Sequence, residues 1–292
     1  MNGPEVYHLI TARRAKKHKM KAYYLQGYKQ LYDLISNDDS FHDWFKYQPH
    51  DVQYLRYAKQ NPSLIAAGFK VGDLYSAFAY AHAALKFSLE KDYGILAKSE
   101  ESIGLVQYMF IRDSILNYAI CEDLSWQVVW AYIQPANIQY LMKDGYSNLA
   151  KDCNRENLFK QLDCAISQQH SQAERLKSIV KDFDDDLDVK NFRELYNFIK
   201  HRGDIHVDGL DNQDESLMSN VNGQNIKMLM RDSYSMDSLR NDAWNYNCTF
   251  VNYFNKLLKE IFPEDYLNNE INLSEGIMGT LQMMDAQNEN NK

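Results

Sequence analysis

An all-α fold, a bundle of helices with a small β-hairpin inserted late in the chain, is predicted by three observations. Only 5 Pro and 12 Gly occur in 292 residues, so little interrupts long helices. Apolar residues recur at i, i+3, i+4 and i+7 through most of the chain, the spacing that gathers them on one helical face. Between Gly203 and Asp237 that pattern stops, and Asn222-Gly223 falls there between two short runs, a strong hairpin signal.

The elements follow in order. Residues 5–36 read as a helix in two tones. Arg13, Arg14, Lys16, Lys17, His18, Lys19 and Lys21 form a basic block, and Tyr24, Tyr28, Leu31, Tyr32 and Ile35 form an apolar stripe after it. Asn37-Asp-Asp-Ser40 is a break with capping residues. A short aromatic helix with Trp44, Phe45 and Tyr47 is stopped by Pro49. A helix over Asp51 to Gln60 comes next, and Asn61-Pro62 is a turn. A further helix is expected after Gly72-Asp73, with Leu74, Phe78, Ala81 and Leu85 at helical spacing. Ser102 to Ile133 is the longest helical pattern. It is apolar on more than one face, which marks a central, buried helix. Its Arg112, Asp113, Glu122 and Asp123 then need partners wherever they are buried, and a structural ion pair is the expected role of Glu122 and Asp123.

Leu158 to Val180 reads as one amphipathic helix. The acidic run Asp182 to Asp188 suits the N-terminus of the next, over 188–202. The hairpin is expected near residues 217–230. A last helix over Ser238 to Ile261 ends at Pro263, and the Asn- and Met-rich remainder reads as a loosely attached tail. The expected organisation is an N-terminal helical extension over 1–70, a helical bundle over 71–262 and a tail over 263–292.

Composition narrows the function classes. Tyr (21) and Phe (13) are abundant, and tyrosine brings apolar area with a polar tip. The formal charge of −8 repels nucleic acid at long range, so an RNA contact needs a local basic patch such as residues 13–21. Cys121, Cys153, Cys164 and Cys248 lack paired spacing, so neither zinc nor a disulfide framework is expected. The apolar run Ile103 to Ile133 is broken by charges and does not read as a membrane span. The start Met1-Asn-Gly-Pro-Glu lacks a charged-then-apolar signal layout, so a cytoplasmic location is expected. No glycine-rich phosphate loop or G-x-S-x-G elbow is present, which removes kinase, P-loop and α/β-hydrolase readings. No cofactor is expected.

The chemistry-bearing stretch is Asn191 to His206. Its helix turns Val189, Phe192, Leu195, Tyr196 and Ile199 to the core. Arg193, Asn197 and His201 follow one another at i, i+4 and i+8 on the other side, and Lys200 and Arg202 flank His201 in the last turn. Gly203 stops the helix. A structural reading is coherent, because cations in the last turn complement the helix dipole. The functional reading rests on His201, because an imidazole suits general acid or base work in RNA transesterification. Arg202, Lys200 and Arg193 would hold phosphate, Asn197 would orient it, and His206 would be an accessory proton donor if the chain folds back after Gly203. Zinc at His201, His206 and Asp204 or Asp208 has no supporting ligand spacing.

The run Tyr196-Asn-Phe-Ile-Lys-His201 resembles the signature of the HEPN superfamily of helical domains, an Arg, often followed by a polar residue, then a His after four to six others. Asn197 and His201 match. Tyr196 stands where the family has Arg, and tyrosine offers no guanidinium fork. Arg193, one turn earlier on the same face, and the pair Arg202–His206 are the substitutes. The resemblance implies a bundle of the helices near 102–133, 158–180, 188–202 and 238–261. It also implies either a metal-independent endoribonuclease of a stress or defence system or a non-catalytic RNA- or protein-binding scaffold. Members often form homodimers. The endoribonuclease is the leading expectation and the scaffold its alternative, whose weight the missing Arg raises.

Overall fold

The computed structural model describes residues 28–210, 217–221, 224–228, 233–270, 274 and 276–281. The basic block at 13–21 and the Asn222-Gly223 turn lie outside them. The chain divides into two compact units, residues 1–37 and 38–292. In the first, α1 (Tyr28–Ser36) is the described element. It carries Leu31, Tyr32 and Ile35 of the expected stripe.

The second unit is the helical bundle. A 3₁₀ turn (His42–Tyr47) and α2 (Asp51–Tyr57) lead into α3 (Pro62–Phe87) and α4 (Glu100–Ile133). The boundary expected at residue 70 falls inside α3. So does the expected start at Gly72-Asp73, because Pro62 takes the first helical position and the Asn61 side chain caps the Leu64 amide at 3.2 Å. Gly68 is a point of close approach and not a break. A Cβ there would lie 2.6 Å from the Tyr266 hydroxyl and 2.8 Å from the Tyr47 carbonyl. Ser99 and Ser102 open α4 with a reciprocal capping box. The two helices run antiparallel, and the Ser63 hydroxyl at the start of α3 donates to the Gln134 carbonyl at the end of α4 (3.0 Å).

After α4 come a 3₁₀ turn (Ile138–Leu141) and α5 (Lys143–Leu149). The single helix expected over 158–180 is two helices, α6 (Arg155–Ser167) and α7 (Ala173–Asp185). The break is a Schellman closure: the Gln169 amide donates to the Ile166 carbonyl and the His170 amide to the Ala165 carbonyl. Gln169 sits at φ 61°, a left-handed conformation that usually falls to Gly. Without Gly there, the amphipathic period runs through the break unmarked.

Next is α8 (Leu187–His201), followed by β1 (His206–Val207), β2 (Leu217–Val221), β3 (Gln224–Met228), β4 (Ser233–Tyr234) and α9 (Met236–Ile261). The expected hairpin strands are present: β2 and β3 pair antiparallel, with Leu217 opposite Met228 and Val221 opposite Gln224. A parallel pair of β1 with β4, His206 opposite Ser233, closes the base of the insertion and had no counterpart in the sequence pattern.

The core is aromatic. Phe78, Tyr118, Phe250 and Phe254 are fully buried together with Trp44. Phe183 stacks on Tyr253 at 4.0 Å, and Phe192 on Tyr246 at 4.1 Å. The expected loose tail is pinned at its start. Tyr266, in a 3₁₀ turn (Glu264–Leu267), is fully buried and donates to the Tyr47 carbonyl at 3.0 Å. The buried Gln53 side chain donates to the Tyr266 carbonyl at 2.9 Å, and Arg56 binds the carbonyls of Asp265, Asn268 and Glu270. Among the described residues no helix is long and apolar enough to cross a membrane.

Candidate functional site

The sequence-predicted site lies on α8. Asp186 caps the helix, its carboxylate accepting from the amides of Asp188 (2.9 Å) and Val189 (3.3 Å). Val189, Phe192, Leu195 and Ile199 are buried and fix the rotation of the helix about its axis. Tyr196, expected in that stripe, is only half-buried, and Lys200 Nζ lies over its ring at 5.4 Å. The residue in the motif's Arg position thus holds a neighbouring cation. The Arg202 amide donates to the Phe198 carbonyl, and Gly203 leaves the helix at φ 118°.

The predicted groups separate into two environments. Asn197, Lys200, His201 and Arg202 are exposed. None of them lines the cleft at the α6–α7 turn or the one between α7 and α9. Arg193 instead turns inward. Its Nε and Nη2 both donate to Glu122 Oε1 on α4 (2.9 and 2.5 Å), and Nη2 also donates to Asp184 Oδ1 on α7 (3.1 Å). Both carboxylates are buried, Glu122 at 8% and Asp184 at 1% side-chain exposure. Arg155 Nε reaches the second Asp184 oxygen at 2.5 Å, so two guanidiniums meet two carboxylates in one network. Tyr246 adds a long hydroxyl contact to Glu122 Oε2 (3.4 Å).

His206 does not return toward His201 by a fold-back of the chain. Arg193 meets α4 at Glu122, Asp204 meets it at Tyr108 and Arg112, and Leu210 meets it at Gly104. Past Gly203 the chain therefore keeps its course along α4. The Tyr108 hydroxyl donates to Asp204 Oδ1, and Arg112 Nε lies 3.3 Å from the same oxygen, off hydrogen-bonding alignment. Half-buried His206 then enters the β1–β4 pair. Among the described residues no cluster of three or more His, Cys, Asp or Glu is placed to hold a metal ion.

Glu122 has the role expected of it, a structural ion pair, with Arg193 as its partner. Asp184 is a network member that the sequence reading does not single out, because the acidic run 182–188 suits a helix N-terminus. The signal was there: Leu176, Val180 and Asp184 repeat every four residues, which places Asp184 on the buried face of α7. Arg155, the remaining member, opens α6 and carries no pattern of its own.

Charge in the network is unevenly held. Burial pushes the Glu122 carboxyl up to about 7 from 4.5. Arg193 opposes that rise, while the charges of Asp184 and Asp123 add to it. Burial acts to lower Arg193, but Glu122 and Asp184 outweigh it and hold the guanidinium above its ordinary value. At Glu122, the more deeply buried of the two, burial outweighs the pairing. A carboxyl raised on folding binds more protons folded than unfolded, so stability falls as pH rises from 4.5 to about 7. At about 1.4 kcal/mol per pKa unit, the fall is about 3 kcal/mol. Glu122→Gln, which cannot titrate, is expected to flatten that slope in urea unfolding curves recorded across the window. An unchanged slope would assign it to other groups.

Compared with family models, curated proteins and solved structures, this chain matches none.

Proposed function

We propose that the chain is a HEPN-like helical scaffold that binds a partner protein and does not cleave RNA. The observation that carries this reading is the engagement of Arg193. An arginine that binds phosphate must offer its guanidinium to solvent, and that of Arg193 is held by two buried carboxylates. With Tyr196 in the motif position, the His201 face keeps no arginine upstream of the histidine. His201 then has only its neighbours Lys200 and Arg202 in the last turn as cations, without the upstream guanidinium fork that the motif pairs with its histidine.

A protein partner suits the rest of the surface better than RNA. The net charge is negative, and the start of α4 exposes apolar side chains. Leu105 and Met109, one turn apart, are more than half exposed, and Ile95 and Leu96 just before the helix are 90% and 77% exposed. A second copy of the chain is the partner that the resemblance implies.

The exposed trio Lys200, His201 and Arg202 favours the nuclease reading, and one experiment separates the two. Labelled mixed-sequence RNA is incubated in EDTA with wild type and with His201→Ala at equal folded concentration. Neither protein is expected to cleave it. Cleavage by wild type that disappears in the variant would overturn the scaffold reading and place a metal-independent nuclease at His201.

A further inference from the structure

A helix that is apolar on more than one face, as α4 is, ordinarily lies buried all round. Two sides of α4 are covered. On one, Ile111, Ile115, Tyr118 and Cys121 are fully buried, with Tyr118 against Phe78 of α3 and Tyr246 of α9. On another, α8 and the chain after it meet Glu122, Tyr108 and Gly104. A third side stays open. Leu105, Met109 and Ile120 are 54%, 56% and 45% exposed there, and Leu116 is half-buried between them. Arg112 and Asp113 complete the row, so its members follow one another three or four residues apart along one face, over about 22 Å of helix.

The row reads alike from either end. Leu105 and Ile120 stand equally far from a point between Arg112 and Asp113, and so do Met109 and Leu116. The two residues at that centre carry opposite charges. In a two-fold pair, residue i meets residue j and j meets i. Two antiparallel copies of α4 crossing at the centre therefore set each Leu105 against an Ile120, each Met109 against a Leu116 and each Arg112 against an Asp113. A parallel pair would set Arg112 beside Arg112 and Asp113 beside Asp113, which like charges oppose.

The central charges also decide the occupant. Asp113 is exposed, and its carboxylate pairs with nothing among the described residues. Arg112 reaches Asp204 through Nε, and its two terminal nitrogens make no bond among the described residues. A purely apolar partner would desolvate both charges without return. The occupant must bring a cation to the level of Asp113 and an anion to that of Arg112, within a row of apolar side chains. A second copy of α4 brings both at the required spacing.

We propose that this face of α4 binds a second copy of the chain, the two helices antiparallel about a two-fold axis between Arg112 and Asp113. The inference rests on the reading of the chain as a partner-binding scaffold and supplies the surface and its geometry. Sedimentation equilibrium of the full chain at micromolar concentration tests it. Wild type is expected to be a dimer. Met109→Lys puts a cation into the apolar row, and Asp113→Arg sets a cation against Arg112 of the other copy. Each is expected to weaken association at least about tenfold. Leu187→Lys, a like change at an exposed leucine opening α8, outside the row, is expected to leave it unchanged. A monomeric wild type would overturn the proposal. So would a dimer that Met109→Lys and Asp113→Arg leave intact, or one that Leu187→Lys weakens as much. Met109 and Asp113 are both exposed, so their variants should match wild type in urea unfolding, and where one does not fold the other decides. Association is measured without RNA, so this face and the absence of cleavage fail separately.

Discussion

Replacing Arg193 with Met is expected to lower the stability of the folded chain by about 3–5 kcal/mol, the usual consequence of removing one partner from a buried ion pair. Asp184 would keep Arg155, which bonds its other oxygen. Glu122 would lose both guanidinium bonds and keep only the 3.4 Å contact from Tyr246. The carboxyl would then fold only by taking up a proton, so the loss should deepen as pH rises. The double change Arg193→Met with Glu122→Leu removes both charges and should recover most of the loss, because apolar replacements of a buried pair are often neutral. Urea unfolding of the wild type, the two single variants and the double variant measures this cycle. A loss from Arg193→Met below about 1 kcal/mol, the worth of a solvated surface pair, would mean that the guanidinium is not held as described. It would then be available to a ligand beside His201, and the nuclease reading would regain its missing cation.

That outcome turns on a distinction that spacing could not draw. Arg193, Asn197 and His201 share a face by the 3.6-residue period, and the backbone of α8 agrees. Periodicity gives the direction in which a side chain leaves the helix, but not where a long one ends. Arginine at the edge of the buried stripe can lie along either side. Its choice depends on Glu122, 71 positions away in sequence, and no local pattern carries that pairing. The same limit explains the other corrections. The hairpin strands were legible because Asn-Gly is a local signal. The α6–α7 break was not, because its left-handed residue is Gln169 and the glycine mark is missing. Gly72-Asp73 looked like a helix start because glycine usually punctuates. In this chain Gly68 and Gly72 sit inside α3, where Tyr266 and Gln48 press against the backbone. Helix existence was therefore readable from period, whereas breaks and partners were decided by contacts from distant parts of the chain.

Trp44 provides the second large effect, and it tests where the bundle begins. The expected organisation sets residues 1–70 apart as an extension. Yet Trp44 is buried at 1% exposure in the 3₁₀ turn before α2. Its ring meets Phe78 of α3 and Phe254 of α9 edge-on, each at 4.8 Å, and its Nε1 donates to Asn255 Oδ1 at 2.8 Å. An appended segment would not supply the indole at the junction of two central helices. Trp44→Ala should cost about 3–5 kcal/mol, the range for emptying a buried aromatic site. It should also shift the whole unfolding transition and not a minor early phase, because α3 and α9 would lose a shared core residue. Trp44→Phe keeps most of the ring area but leaves Asn255 without its donor, so a smaller loss of about 1–2 kcal/mol is expected. Circular dichroism at helical wavelengths and near-ultraviolet aromatic signals, followed together through urea unfolding, read both variants. Coincident transitions, displaced together in Trp44→Ala, would place the start of the cooperative unit before Trp44. A separate low-urea step in the aromatic signal, with helical content intact, would return residues 38–61 to the status of an extension.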